Sequence, residues 1–176
     1  ATLVFMEYYC NTDKTLTKLS QKGVDVGWGF ERIVTKLQEK DNIFETDLFE
    51  PIMTLIPENM ELRVKRIMAD HARAIVFLLA DGIRPSNKEQ GYILRRLMRR
   101  VIVHEQMVAS EYSMVSDILS LVIKLYKDFY PELEKTDIVR EFLDEKDKFN
   151  KTLKMGLKEM NRLEQIDASG AFKLYE

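Results

Sequence analysis

Hydrophobic and polar positions change period once along the chain. Strand formers dominate the first 30 residues in three runs, Leu3 to Tyr9, Thr15 to Leu19 and Val24 to Trp28, broken by the turn signals Asn11-Thr12-Asp13-Lys14 and Lys22-Gly23. This pattern predicts a short antiparallel meander. From Phe30 onward the apolar residues Phe30, Ile33, Val34 and Leu37 recur at three and four, so strand passes directly into helix at Gly27-Trp28-Gly29. Beyond that point only helical patterns remain, near 30–40, 47–56, 60–81, 86–107, 111–128 and 134–165, with a last helix from about Ser169. Breakers at Pro51, Pro57, Asp81-Gly82, Pro85 and Pro131 separate them. In the longest helix Ile138, Phe142, Phe149, Leu153, Leu157 and Met160 form one apolar stripe, as a packed bundle helix requires, with a coiled-coil partner as the alternative. The expected fold is mainly α: a short antiparallel β segment followed by an all-α helical domain, without internal repeats.

Composition narrows the class. A chain of 176 residues with 45% hydrophobic and 32% charged residues can build a core and solvate it, and only 7 Gly and 4 Pro exclude collagen-like or linker-dominated chains. That length suits one domain, or a small domain plus a piece of another. Cys10 is the only cysteine, so neither an internal disulfide nor a cysteine zinc site can form, and a reducing, cytoplasmic compartment is expected. No apolar run approaches membrane-spanning length, and Ala1 to Glu7 lacks the basic and apolar regions of a secretion signal. The chain starts inside a strand-like run and stops at Tyr175-Glu176, which suggests a part of a longer protein.

The net charge of −2 argues against a nucleic-acid partner only until it is divided along the chain. Between Arg63 and His104 there are ten basic and three acidic residues, net +7, against 17 basic and 26 acidic elsewhere, net −9.

Two segments carry candidate chemistry. In Val24-Asp25-Val26-Gly27-Trp28-Gly29-Phe30-Glu31-Arg32, two glycines end a strand and open a helix, so a ligand can approach the backbone, and Arg32 can grip a phosphate or carboxylate. A plain strand-to-helix turn with a surface arginine has the same pattern; the Rossmann and P-loop fingerprints are absent. Asp25, in a strand that reads as buried, requires a cation, either a substrate ammonium or a protein Arg or Lys. In the second segment Ser86 and Glu89 form a capping box after Pro85, which predicts a helix start with Asn87 exposed in its first turn. Arg95, Arg96, Arg99 and Arg100 then share a face opposite Leu94, Leu97, Met98, Val101 and Ile102, with no acid at four residues' distance. Four unpaired arginines point to a phosphate backbone, and the Asn87 amide suits a base edge. His71 and His104 have no second ligand three or four residues away, so no metal site is expected, and His71 reads as a hydrogen-bonded structural residue.

The first segment resembles motif 3 of class II aminoacyl-tRNA synthetases. More narrowly, Leu3-Val4-Phe5-Met6, Asp70-His71-Ala72-Arg73, Ala80-Asp81-Gly82-Ile83-Arg84-Pro85-Ser86-Asn87, Gly91-Tyr92-Ile93-Leu94-Arg95-Arg96, Arg99-Arg100 and Ala171-Phe172-Lys173-Leu174-Tyr175 resemble the alanyl-tRNA synthetase family in the same order. The resemblance implies an alanine-tRNA ligase as parent enzyme, forming an aminoacyl adenylate from alanine and ATP and passing alanine to tRNA(Ala). It assigns residues 1–45 to the end of the catalytic core and 46–176 to the helical domain that recognises the acceptor stem. Asp25 would pair with the ammonium of alanine and Gly27 leave room for its methyl, while Gly29 and Arg32 would hold ATP, supplied as its Mg complex. Asn87 would approach the G·U wobble pair, with Arg95, Arg96, Arg99 and Arg100 on the tRNA. Glu176 stands where the family usually has an aspartate as second reader, and Val26 and Trp28 where Thr and Met are usual. Motifs 1 and 2 would lie before residue 1, so these residues alone are not expected to activate alanine. Two other readings stay open: a noncatalytic helical RNA-binding module whose strands are a packing platform, and a structural bundle with no ligand.

Overall fold

The computed structural model describes residues 2–108 and 113–162, and the chain divides into two compact units, Ala1–Pro51 and Ile52–Glu176. In the first unit β1 (Thr2–Cys10) pairs antiparallel with β2 (Leu16–Gly27). Asx chemistry closes the turn between them: Asp13 Oδ1 accepts from the Thr15 amide at 3.0 Å and hydroxyl at 2.6 Å, and the Asn11 amide donates to Thr17 Oγ1 at 2.7 Å.

The expected third strand does not exist. Lys22-Gly23, which has the composition of a turn, stays inside β2, and the ladder instead slips between Met6↔Gly23 and Tyr8↔Lys18, so that Glu7 alone opposes Leu19 to Lys22. The irregularity absorbs the turn-like residues. Lys22 Nζ lies 2.7 Å from the Glu7 carboxylate across it. Gly23 suits this place, since a Cβ there would meet Met6 Cε at 3.0 Å.

Strand gives way to α1 (Phe30–Leu37), capped by the Gly29 carbonyl accepting from the amides of Arg32 and Ile33, both at 3.1 Å. A 3-10 turn at Ile43–Glu45 follows, begun by Asn42 Oδ1 accepting from the Phe44 amide at 3.0 Å, and then the short α2 (Glu50–Leu55).

The helical unit contains α3 (Leu62–Ala80), α4 (Glu89–Gln106), α5 (Met114–Tyr126), a 3-10 turn at Pro131–Glu134, and α6 (Ile138–Met160). The six helices expected up to residue 165 are all present, each within narrower bounds than expected; residues 111–112 and 163–165 and the helix expected from Ser169 lie outside the described residues. Their core is the set of positions the apolar period selects. Met68, Ile75 and Leu79 of α3, Leu94, Met98 and Ile102 of α4, and Ile118 and Leu119 of α5 have no exposed surface. Each such side chain contributes about 1.5–3 kcal/mol by leaving water.

The stripe on α6 is only half used: Ile138 and Phe142 are buried, whereas Leu157 and Met160 remain exposed. Among the described residues no helix is long and apolar enough to cross a membrane.

Candidate nucleic-acid interface

The loop Asp81 to Lys88 joins α3 to α4 and is pinned along its length. Gly82 ends α3 at φ +85, a conformation that favours glycine, with its amide donating to Leu79 O at 3.0 Å and the Ile83 amide to Leu78 O at 3.1 Å. Arg84 Nη1 donates to the carbonyls of Leu79 and Ile83, both at 3.1 Å, and Arg84 Nε reaches Glu141 of α6 at 3.1 Å. The Ser86 amide then donates to Gly91 O at 3.1 Å, folding the loop back on the helix it precedes.

That fold-back corrects the expected helix start. The capping box does not form; Lys88 is the N-cap residue, α4 begins at Glu89, and Glu89 itself has φ +50. Ser86 Oγ bonds Lys88 instead, donating to its carbonyl at 3.0 Å and accepting from its amide at 3.3 Å. The cause is the closure of Ser86 on Gly91, which draws Ser86 out of the capping position. Asn87 therefore lies in the loop and not in the first helical turn. It is exposed, and its side-chain amide makes no hydrogen bond among the described residues, although both its neighbours are fixed.

The arginines of α4 divide into two kinds. Arg96 and Arg100 are exposed and Arg95 is half-buried. Arg95 and Arg96 make no ion pair among the described residues. Arg99, expected to be unpaired, is not: its Nε lies 3.0 Å from the buried Glu145 carboxylate, and its guanidinium covers the Phe149 ring at 5.0 Å. It joins α4 to α6. Arg100 Nη1 donates to His71 Nε2 at 3.4 Å, and His71 Nδ1 lies 3.1 Å from Asp70 Oδ2. His71 is thus a bridging group, and its bond holds the Asp70 carboxyl below the usual carboxylate range.

In the β unit, strand register defines a second surface. Asp25 opposes Val4 and shares its face of β2 with Gly23 and Gly27, so it is the only side chain β2 projects there over that stretch. A Cβ at Gly27 would meet nothing within 4 Å. The expectation that Asp25 is buried and needs a cation is not met; it is exposed and makes no ion pair among the described residues. Arg32 is also exposed, its aliphatic part lying 3.6 Å from a Cβ built at Gly29. Glu176 lies outside the described residues.

A family model described as tRNA synthetases class II (A) matches residues 1–176. The chain belongs to that family. It is 37% identical over 193 residues to an alanine-tRNA ligase of Petrotoga mobilis, covering 99% of this chain and 22% of that protein. It is 39% identical over 192 residues to one of Borrelia hermsii, covering 98% and 32%, and 35% identical over 194 residues to one of Bacillus subtilis, covering 99% and 22%. The chain therefore spans between a fifth and a third of the length of these relatives.

Within this class II synthetase chain, three groups escape a helical reading of the sequence. Arg84 and Glu141 pair across 57 positions, visible only in space. Glu105 and Glu145 do leave a trace, since each is an acid on the apolar face of its helix, where a buried carboxylate demands a partner; Lys146 meets Glu105 at 2.7 Å. A cavity of about 270 Å³ between Asn59, Met60, Glu61, Val64, His104, Met107 and Val108 contains none of the sequence-derived site residues. Among the described residues no group of three or more His, Cys, Asp or Glu could hold a metal ion.

Proposed function

We propose that this chain is the motif 3 edge and the acceptor-stem-binding helices of an alanine-tRNA ligase, working in the cytoplasm. The whole enzyme condenses alanine with ATP to an aminoacyl adenylate and transfers alanine to tRNA(Ala). The observation that carries the proposal is the Asn87 amide, unengaged between two pinned residues. Its oxygen suits the guanine amino group that a G·U wobble pair leaves without a Watson–Crick partner in the wide, shallow minor groove of RNA. Arg95, Arg96 and Arg100 supply phosphate contacts, and Glu176 is the proposed second reader. Asp25, flanked on its face by two glycines, suits the alanine ammonium, with room for the methyl over Gly27. Arg32 and the open backbone at Gly29 suit the phosphates of ATP, which enters as its Mg complex.

The test is binding of an acceptor-stem hairpin carrying G·U, against one carrying G·C, across a salt series. The G·U hairpin is expected to bind more tightly by about 1–3 kcal/mol, with Asn87→Ala abolishing the difference. Equal binding of both, with Asn87→Ala silent, would remove the wobble reading and leave only a basic surface. These 176 residues alone are expected to give no alanine-dependent pyrophosphate exchange. The exposure of Asp25 and Arg32 also suits a noncatalytic RNA-binding module. Pyrophosphate exchange by the full-length protein separates the two: alanine-dependent exchange that Asp25→Asn abolishes favours the ligase, and no exchange by the unsubstituted protein favours the module.

A further inference from the structure

Asn87 can discriminate between base pairs only if its loop is held in one place, and the structure shows what holds it. At one end Arg84 O and Ser86 close on Gly91, and at the other the Arg84 guanidinium binds Leu79 O, Ile83 O and the Glu141 carboxylate. Two of these anchors are main-chain carbonyls beside the loop. Glu141 is different, because it sits in the first turn of α6, 57 positions away, and fixes the guanidinium against a separate helix. From Arg84 the chain reaches Asn87 through Pro85, whose φ is locked, and Ser86, whose hydroxyl is engaged on both donor and acceptor sides. Displacement of Arg84 is therefore transmitted to Asn87 with little slack. The pair is partly exposed, with 46% of the Arg84 side chain and 36% of the Glu141 side chain open to solvent, so it contributes little to stability. Its consequence is geometric.

We propose that Glu141, through Arg84, is a positioning residue that fixes the Asn87 loop and so sets how sharply the acceptor stem is discriminated. This rests on the wobble reading of Asn87. The 176-residue chain is tested with Glu141→Ala, with Glu141→Gln, which keeps an acceptor for Arg84 Nε, and with Asp144→Ala, which removes an exposed charge from the same helix. In Glu141→Ala the ratio of G·U to G·C hairpin binding is expected to fall about three- to tenfold, with the salt dependence unchanged. Glu141→Gln is expected to keep most of the ratio. Asp144→Ala is expected to shift both hairpins equally. The thermal midpoint of Glu141→Ala should drop by no more than about 3 °C. Amide hydrogen exchange supplies an arm independent of RNA: the Ser86 and Lys88 amides should exchange faster in Glu141→Ala while those of the α4 core do not.

A wild-type chain that discriminates, together with a Glu141→Ala variant that discriminates equally well, overturns the positioning role. A wild-type chain that binds both hairpins alike overturns the wobble reading and the discrimination claim with it, and unchanged loop exchange then removes the anchoring as well.

Discussion

Gly91 sets two effects against each other. A glycine inside a helix costs about 1 kcal/mol relative to alanine, so propensity alone favours Gly91→Ala. The added Cβ would fall 2.5 Å from Arg84 O, 3.0 Å from Ser86 Cβ and closer still to Ser86 Oγ. Backbone cannot yield as a side-chain tip can, and overpacking of this kind costs about 1–3 kcal/mol. The clash should win. Gly91→Ala is expected to lower stability in urea denaturation and to reduce hairpin discrimination together, and a more stable variant would refute the closure of the loop on Gly91. Asn87 was legible in the sequence as an exposed amide beside a helix start. Its place outside the helix was not, because the Ser86 to Gly91 closure overrides a capping box and depends on backbone proximity that spacing does not encode. His104 makes a second residue-scale case. Burial first, then the charge of Arg100, lower its pKa below the usual 6.5. The folded chain therefore resists a proton that the unfolded chain accepts, so this contribution is intact above about pH 6.5 and is lost as pH falls toward the folded value. His104→Gln should flatten the fall of the thermal midpoint as pH drops below about 6.5. Asp70, lowered by its bond to His71, acts only below its own ordinary value of 3.8 and does not confuse the window.

Helices α4, α5 and α6 are joined by carboxylates. Glu105 of α4 accepts from the Val115 amide at the start of α5 at 3.0 Å and meets Lys146 Nζ of α6 at 2.7 Å, with Lys146 also donating to Ser113 Oγ at 3.0 Å. Both charges are largely buried, so removing one leaves the other desolvated and unpaired. Glu105→Ala should cost about 3–5 kcal/mol in urea denaturation, and Glu105→Leu with Lys146→Met should recover most of it; additive losses in that pair would show the two groups to be independent. The same logic separates the arginines of α4. Arg99→Ala strands the buried Glu145 carboxylate and should destabilise by about 2–3 kcal/mol, leaving the salt dependence of hairpin binding alone. Arg96→Ala should do the reverse, lowering that slope by about one with little change in stability. On sequence spacing the two arginines are equivalent. They differ because Glu145 lies 46 positions away, and only packing decides which side of α4 it approaches.

At the scale of the whole molecule, the charge that sums to −2 and the apolar surface are both unevenly divided. Of the buried hydrophobic side chains among the described residues, all but Phe49 lie from Ile52 onward, whereas Leu3, Phe5, Val24 and Val26 of the hairpin are each more than half exposed. The +7 segment likewise falls wholly within the helical unit. The period change at Phe30 made the switch from strand to helix legible, because alternation and the 3.6-residue repeat differ sharply. Burial of the strands was not legible, since an apolar run reads the same whether or not something covers it. A two-stranded hairpin is marginal in water on its own, so stability and RNA contact should reside together in the second unit. Residues 52–176 expressed alone are therefore expected to melt cooperatively and to retain hairpin binding with the salt slope of the full 176 residues. In the whole chain, hydrogen exchange should find the β1 and β2 amides nearly unprotected while those around Ile75, Met98 and Ile118 approach the global limit. A shortened chain that fails to fold, or hairpin amides protected as strongly as the helical core, would mean that the strands stabilise the helices in a way their exposed faces do not reveal.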